Sequence, residues 1–270
     1  LGFTKQAMRI TIWGNVFNVI LAIIFVKGMF GIKPMGIAGV GLATLIDRIL
    51  MMIVMSWYVL KSKNFKPYIA HFKFFSVQAE KVKAILKIGT PVAFQYTFEV
   101  GLFAGASLIS GKIGALDQAA HNVALTLASM TYMMATGIAS AITIKIGNSY
   151  GKENFDRLKT FAKISYRIIL AFMIFTAIIF AVFNHTLASL MTTDPDVIAL
   201  AAQLLIIAGL FQLFDGTQVI GLGILRGIGD VNIPTIITLI AYWLIGLPSG
   251  YYLGVTLGMG VKGVWYGLTF

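Results

Sequence analysis

The sequence contains no cysteine, which excludes disulfides, thiolate nucleophiles and cysteine metal ligands. Charged residues are also scarce: Asp, Glu, Lys and Arg make up 11% of the 270 residues, whereas soluble domains reach about 25%. The three histidines, His71, His121 and His185, are too far apart in the chain to form a paired metal-ligand motif. These absences exclude an ordinary soluble domain and argue against a metal centre.

Apolar residues dominate instead. They make up 58% of the chain, the mean hydropathy is +0.87, and single apolar runs reach the roughly 20 residues that a helix needs to cross a bilayer. This pattern predicts an all-α fold, a polytopic membrane helix bundle with antiparallel neighbours joined by short connections. The seven predicted spans are Met8–Val26, Gly36–Leu60, Ile88–Ile109, Ala119–Ile146, Phe161–Phe183, Val197–Leu225 and Ile233–Val255, and an eighth begins near Val261.

One connection is long, basic at its start and amphipathic in its second half. It covers residues 61–87, and we expect it to lie on the cytoplasmic surface as a linker between two lobes. The predicted division is therefore 1–60 for the last two helices of one lobe, 61–87 for the linker and 88–270 for a truncated second lobe. Because the chain begins at Leu1 and ends inside an apolar run, we expect a fragment.

The basic residues are distributed unevenly between the two ends of the spans. Of the 21 Lys and Arg residues, 16 fall on the side of the long linker, four fall on the other side, and Arg48 lies within a span. Since basic loops stay inside, the linker side is predicted to be cytoplasmic. The net charge of +11 is explained by these loops, so we do not expect nucleic-acid binding.

Glu99 lies inside the third predicted span and Asp215 inside the sixth. An ionisable group at membrane depth costs roughly 2.5–3.5 kcal/mol on insertion scales, so it marks a functional site by default. The alternative for Glu99 is a protonated side chain that bonds a neighbouring helix. Gln95 precedes Glu99 by one helical turn, and Gln212 and Gln218 flank Asp215. Such oxygen ligands suit Na⁺ or a proton better than a transition metal.

Other polar side chains are open to two interpretations, helix packing or cavity lining. Asn15 and Asn18 share one face of the first span. Asp47 and Arg48 are adjacent in the second span, where they could be satisfied by other helices or by reaching the interface. The fourth span carries a polar seam of Asn122, Thr126, Ser129, Thr136, Ser140 and Thr143, with Met133 filling the gap.

A weak internal repeat relates residues 1–38 to residues 228–265 without a gap. Gly2, Gly31 and Gly36 then match Gly229, Gly258 and Gly263. Both copies run from the basic side outward, which predicts a parallel repeat of the kind found in two-lobed transporters.

The stretch Ala119–Lys159, AAHNVALTLASMTYMMATGIASAITIKIGNSYGKENFDRLK, resembles the second lobe of the MATE (multidrug and toxic compound extrusion) transporters. Supporting stretches are KIGTPVAFQYTFE at Lys87–Glu99, LRGIGDVNIP at Leu225–Pro234 and GVKGVWYGL at Gly260–Leu268. The resemblance covers nearly the whole chain and implies a two-lobe fold around a central cavity. It also implies that Glu99 and Asp215 are the cation site of the NorM-like branch. Some members have a Tyr one turn before the second acid, where this chain has Phe211.

The resemblance implies a Na⁺- or H⁺-coupled multidrug antiporter of the cytoplasmic membrane, working as a monomer without another cofactor on small amphipathic organic compounds. The predicted cavity residues are Gln95, Asn122, Thr126, Ser129, Gln212, Gln218, Asn15 and Asn18. The alternative within the same superfamily is a lipid-linked oligosaccharide flippase, which would favour several basic residues in the cavity. A membrane-embedded enzyme would need a nucleophile-base pair or paired histidines at depth, and neither is visible in the sequence.

Overall fold

A computed structural model describes residues 4–31, 33–62, 65–66 and 78–269, and the regular elements in those ranges are all helical. The helices are α1 (Thr4–Lys27), α2 (Ile37–Lys61), α3 (Ala79–Ile113), α4 (Ala115–Tyr150), α5 (Phe155–Val182), α6 (Asn184–Ser189), α7 (Pro195–Ile228), α8 (Asn232–Leu239), α9 (Leu247–Tyr251) and α10 (Gly260–Thr269). Two π-helical segments, Ile240–Gly246 and Tyr252–Thr256, flank α9. The chain divides into two compact units, 1–78 and 79–270.

Within the described residues, seven helical segments are long and apolar enough to cross a membrane. The predicted all-α, multi-pass membrane fold is therefore confirmed. Most helices extend beyond the predicted spans because hydropathy detects only the apolar part of a helix. The helix α3 begins at Ala79, since AEKVKAILK has strong helix formers that continue the helix past its last apolar turn. Within the predicted linker over 61–87, residues 63–64 and 67–77 lie outside the described residues.

The first unit contains the hairpin of α1 and α2. Gly39 lets α2 approach the backbone of Phe25, because a Cβ on this glycine would lie 2.9 Å from the Phe25 Cβ. The Asn18 side chain donates a hydrogen bond to the Thr44 hydroxyl at 3.4 Å, which joins the two helices. Gly31 has a φ of 81°, a left-handed conformation that suits glycine in the turn between them.

In the second unit, α4 and α7 pack along most of their length, and α5 covers α7 from another side. Small residues make this close approach possible. A Cβ on Gly223 would lie 2.9 Å from the Ala139 carbonyl oxygen. A Cβ on Gly227 would lie 2.9 Å from the Thr143 carbonyl oxygen. The Thr143 hydroxyl donates to the Gly223 carbonyl at 2.8 Å, so this member of the predicted polar seam packs the helices together.

Buried aromatic rings fill the core between α4, α7 and α10. Trp265 is fully buried, and its ring meets Phe211 edge-on with the ring centres 6.0 Å apart. His121 is also fully buried, with its ring 5.8 Å from Trp265. This packing places α10 against the helices that carry the two intramembrane acids.

The span from Asn232 to Thr256 changes from α- to π-helix and back. A π-turn inserts one extra residue per turn, which rotates the side chains that follow, and such turns are frequent at functional sites. Tyr242 lies in the first π-helical segment and faces α7. Gly250, between the two segments, packs directly on Gly267 of α10.

The glycine pairs of the predicted internal repeat can be compared by their backbone conformation. Gly31 and Gly258 have φ values of 81° and 68°, so both outer turns contain a left-handed glycine at the matched position. Gly36 has a φ of 53°, whereas its match Gly263 lies inside α10, so this pair differs. The division into lobes remains a prediction.

Candidate cation site

Glu99 and Asp215 line one cavity of about 160 Å³ in the second unit, which we call the acid cavity. It lies between α3, α4 and α7, and its lining residues are Glu99, Val100, Phe103, Leu125, Ala128, Ser129, Tyr132, Phe211 and Asp215. Asp215 is 7% exposed, Glu99 is half-buried, and their charges lie within electrostatic range of each other. Two carboxylates that share a poorly hydrated cavity repel when both are charged, so the site favours a bound cation or proton.

Helix direction explains why residues so distant in sequence meet. Glu99 is near the middle of α3, and Asp215 lies past the middle of α7, which runs in the opposite direction. Both side chains therefore reach a similar depth. The structure thus brings together the two residues that the sequence predicts to be the cation ligands.

Tyr132 is a site residue that the sequence interpretation missed. Its side chain lines the acid cavity together with Glu99, within electrostatic range of the Glu99 carboxyl. The signal was present in the spacing: Tyr132 is three residues after Ser129 and four before Thr136, so it lies on the predicted polar seam of α4. The sequence pattern places Met133 in the gap between Ser129 and Thr136, but the Met133 side chain is 71% exposed.

Asp215 also borders a second cavity of about 150 Å³, which we call the Tyr242 cavity. The Gln218 amide lines it and donates a hydrogen bond of 2.6 Å to the Tyr242 hydroxyl. Phe103 and Phe211 border both cavities, with ring centres 6.1 Å apart in an edge-on contact. Asp215 can therefore be approached from two sides, and the Phe211 ring fills the position where the resembled family can have a tyrosine.

The guanidinium of Arg226 is held beside Glu99. Arg226 Nη1 donates to the Tyr96 hydroxyl at 3.1 Å, Nη2 donates to Gln95 Oε1 at 3.3 Å, and the guanidinium lies 5.3 Å from the centre of the Tyr96 ring. Arg226 and Glu99 line a small cavity of about 20 Å³ and interact electrostatically. The positive charge at the end of α7 partly offsets the charge of Glu99.

The predicted glutamines are placed differently from one another. Gln95 is 4% exposed and donates to the Val231 carbonyl at 3.1 Å and to the Thr235 hydroxyl at 2.9 Å, so its amide ties α3 to the start of α8. Gln212 accepts from Thr131 at 2.7 Å and donates to Thr176 at 2.9 Å, so it bridges α4 and α5. Among the three glutamines, Gln218 is the one that lines a cavity together with Asp215, the Tyr242 cavity.

Apart from Thr143, which packs against α7, the polar seam of α4 splits into two groups. Ser129 lines the acid cavity, and Thr136 and Ser140 line the small cavity beside Arg226. Asn122 and Thr126 are exposed, and the Thr126 hydroxyl bonds the Asn122 carbonyl of its own helix at 2.7 Å.

The remaining predicted residues belong to the first unit. Asn15 is exposed, and Asn18 takes part in the hairpin contact with Thr44. Asp47 is 2% exposed, and its Oδ1 atom has no hydrogen-bond partner among the described residues, whereas Arg48 is exposed.

We expect Tyr132→Phe to weaken cation binding by about 10- to 100-fold, because a hydrogen bond to a charged group contributes about 1.5–3 kcal/mol. Phenylalanine keeps the ring in the cavity and removes only the hydroxyl, which lies within electrostatic range of Glu99 and can bond its carboxyl. Isothermal titration with Na⁺, and proton release followed by a pH dye, would measure this loss. Tyr252→Phe, at a tyrosine that is 55% exposed, is the matched control and should bind like the parent. Equal affinity in the two variants would contradict the assignment.

Comparison with known proteins identifies the fold. The chain matches the family model MatE over residues 91–252. It is 33% identical to the multidrug resistance protein MdtK of Photorhabdus laumondii over 271 aligned residues, covering 99% of the chain and 59% of that protein. It is 32% identical to the probable multidrug resistance protein NorM of Bacillus subtilis, again covering 99% of the chain and 59% of the relative. The chain therefore spans 59% of the length of these curated relatives.

Solved structures agree on the architecture. The eukaryotic MATE transporter AtDTX14 superposes with a TM-score of 0.88 at 20% identity, over 97% of this chain and 57% of that one. An outward-facing multidrug resistance MATE family transporter superposes with a TM-score of 0.87 at 19% identity, over 99% of this chain and 59% of that one. With its family model, its curated relatives and its helical architecture in agreement, the chain belongs to the MatE family.

Proposed function

We propose that the protein is a Na⁺- or H⁺-coupled antiporter that exports amphipathic, often cationic, organic compounds across the cytoplasmic membrane. The observation that carries this proposal is the acid cavity, in which Glu99 and Asp215 share one space inside the spans of the second unit. The names of the curated relatives, multidrug resistance proteins MdtK and NorM, support the choice of substrate class. The coupling ion is the only cofactor in this proposal, and the protein acts as a monomer in the bilayer.

The mechanism is competition between cation and drug through linkage. An entering cation binds between Glu99 and Asp215 and removes their mutual repulsion. If cation binding favours a conformation with low affinity for the drug, then the drug must disfavour the cation by the same factor. The inward cation gradient is thereby converted into outward drug movement.

Neighbouring groups shape this exchange. Tyr132 lies beside Glu99 in the acid cavity and can turn its hydroxyl oxygen towards a bound cation. Arg226 supplies one fixed positive charge at the cytoplasmic end of α7, so the empty site carries less net negative charge than two free carboxylates. A weaker net charge lets the cation leave again, which a transport cycle requires.

The test is drug efflux from proteoliposomes of the full-length protein under an imposed gradient. We expect efflux of a fluorescent organic cation to follow either a Na⁺ or an H⁺ gradient and to stop when that gradient is collapsed. Efflux that is independent of both gradients would reject the antiporter. The flippase alternative gains no support from the acid cavity, whose described lining holds two carboxylates and no basic residue.

Two leucine substitutions separate cavity lining from helix packing on α4. We expect Ser129→Leu to lower coupled efflux about tenfold, a change of about 1.4 kcal/mol, because its larger side chain projects into the acid cavity. Thr126→Leu, at an exposed position one turn away, should alter the pattern of exported drugs and leave cation affinity unchanged. Efflux per folded molecule and cation affinity are measured for both variants. If both variants instead lose yield and thermal stability together, the seam serves packing.

A further inference from the structure

A basic pocket lies far from the acid cavity, where α4 ends and α5 begins. It is a cavity of about 310 Å³, which we call the basic pocket. Its lining residues are Lys145, Asn148, Ser149, Lys152, Asn154, Arg157 and Phe161. Three cationic side chains and two amides therefore surround one space, with no carboxylate among the described lining residues.

The charges of this pocket are not neutralised within the described part of the chain. Lys145, Lys152 and Arg157 are exposed and form no ion pair there. Glu153 and Asp156 are their sequence neighbours but do not line the cavity. The N-terminus of α5, a helix of 28 residues, lies at the pocket. The partial positive charge of a helix N-terminus attracts anions. The Asn154 side chain caps this helix by accepting from the Arg157 backbone N–H at 3.1 Å, which fixes the turn.

Aromatic residues place the pocket at the depth of the lipid headgroups. Tyr150 and Phe155, at the two helix ends, are 48% and 54% exposed, and their rings meet edge-on with centres 6.4 Å apart. Exposed aromatic rings at the ends of membrane spans are typical of the membrane–water interface. Phe161 is half-buried and lies further along α5, towards the apolar part of that helix.

We propose that the basic pocket binds the phosphate group of an anionic phospholipid of the cytoplasmic leaflet. The lysines and Arg157 face the phosphate, the two asparagine amides supply further donors, and Phe161 contacts the start of an acyl chain. Basic pockets between helices on the cytoplasmic side are suited to such headgroups. This site is separate from the acid cavity, so the inference does not depend on the proposed transport activity.

The test is native mass spectrometry of the full-length protein titrated with phosphatidylglycerol or phosphatidylcholine. The pocket variant carries K145Q, K152Q and R157Q. The control variant carries K159Q, K163Q and R167Q. These three residues are exposed cations of α5 that do not line the pocket, so both variants lose the same charge. We expect the pocket variant to bind phosphatidylglycerol at least tenfold more weakly, and the control to bind it like the parent. Phosphatidylcholine binding should be weak and equal in all three proteins.

Three results would overturn the proposal. Equal losses in the pocket and control variants would show only a general attraction of the basic face for acidic lipid. Equal affinity of the parent for both lipids would remove the role of the headgroup charge. Displacement of phosphatidylglycerol by inorganic phosphate at equal concentration would identify a free anion as the ligand instead. Circular dichroism and thermal unfolding of both variants confirm that they are folded before binding is compared.

Discussion

Asp215→Asn is expected to abolish gradient-driven export while the protein still folds. Asparagine keeps the size of the side chain and its hydrogen-bonding ability but removes the charge that the cation neutralises. Asp215 is 7% exposed, and among the described lining residues it is the carboxylate that borders both the acid cavity and the Tyr242 cavity. Efflux of a fluorescent organic cation from proteoliposomes under an imposed Na⁺ or H⁺ gradient should fall to the level of empty vesicles.

The companion variant Glu99→Gln should lose coupling to the same extent or keep a weak remainder, because Arg226 and Tyr132 stay beside it. Asp196→Asn is the matched control, since Asp196 is an exposed carboxylate in the first turn of the same helix as Asp215. It should transport like the parent. Normal gradient-driven efflux in the double variant Asp215→Asn, Glu99→Gln would contradict the proposed mechanism.

A second measurement on the same variants separates coupling from drug binding. Linkage requires that a cation which lowers drug affinity be expelled equally by the drug. In the parent protein, drug affinity measured at equilibrium should therefore fall when the coupling cation is added. In Asp215→Asn it should become independent of that cation. This result would locate the loss in coupling and not in folding or in drug recognition.

Hydropathy and helical spacing were sufficient to predict the spans and to select Glu99 and Asp215 as candidates for the cation site. The apolar runs around Glu99 and Asp215 are long, and a carboxylate within such a run is costly enough to indicate a site from the sequence alone. The similar membrane depth of Glu99 and Asp215 follows from the opposite directions of α3 and α7, which place both residues near the middle of their spans. The physics behind these inferences is local to one helix, which is why they could be made without a structure.

The partners of the polar groups could not be predicted in the same way. Gln212 and Gln218 have similar spacing from Asp215, yet Gln212 bridges α4 and α5 while Gln218 reaches Tyr242. Which neighbour each amide meets depends on the rotation and crossing of other helices. The π-helical turn that orients Tyr242 has no clear sequence signal, because its residues read as an ordinary apolar span.

The position of that π-helical span depends on contact between two glycines. Gly267 of α10 lies so close to Gly250 that a Cβ on Gly267 would come within 2.2 Å of the Gly250 backbone nitrogen and 2.3 Å of its Cα. Both neighbours are backbone atoms, which cannot rotate away as a flexible side chain can. Accommodating a methyl group therefore requires separation of α10 from the span that carries Tyr242.

Gly267→Ala is accordingly expected to destabilise the protein by about 3 kcal/mol, the upper end of the range for overpacked sites. The measurement is the fraction of detergent-solubilised protein that stays monodisperse after heating. Gly137→Ala is the control, because a Cβ on Gly137 meets nothing within 4 Å and alanine favours a helix by about 1 kcal/mol over glycine. It should be as stable as the parent or more so. If Gly267→Ala resisted heating as well as Gly137→Ala, the close packing of α10 on the π-helical span would be wrong. That packing could then no longer explain why Tyr242 lies beside Gln218 and Asp215.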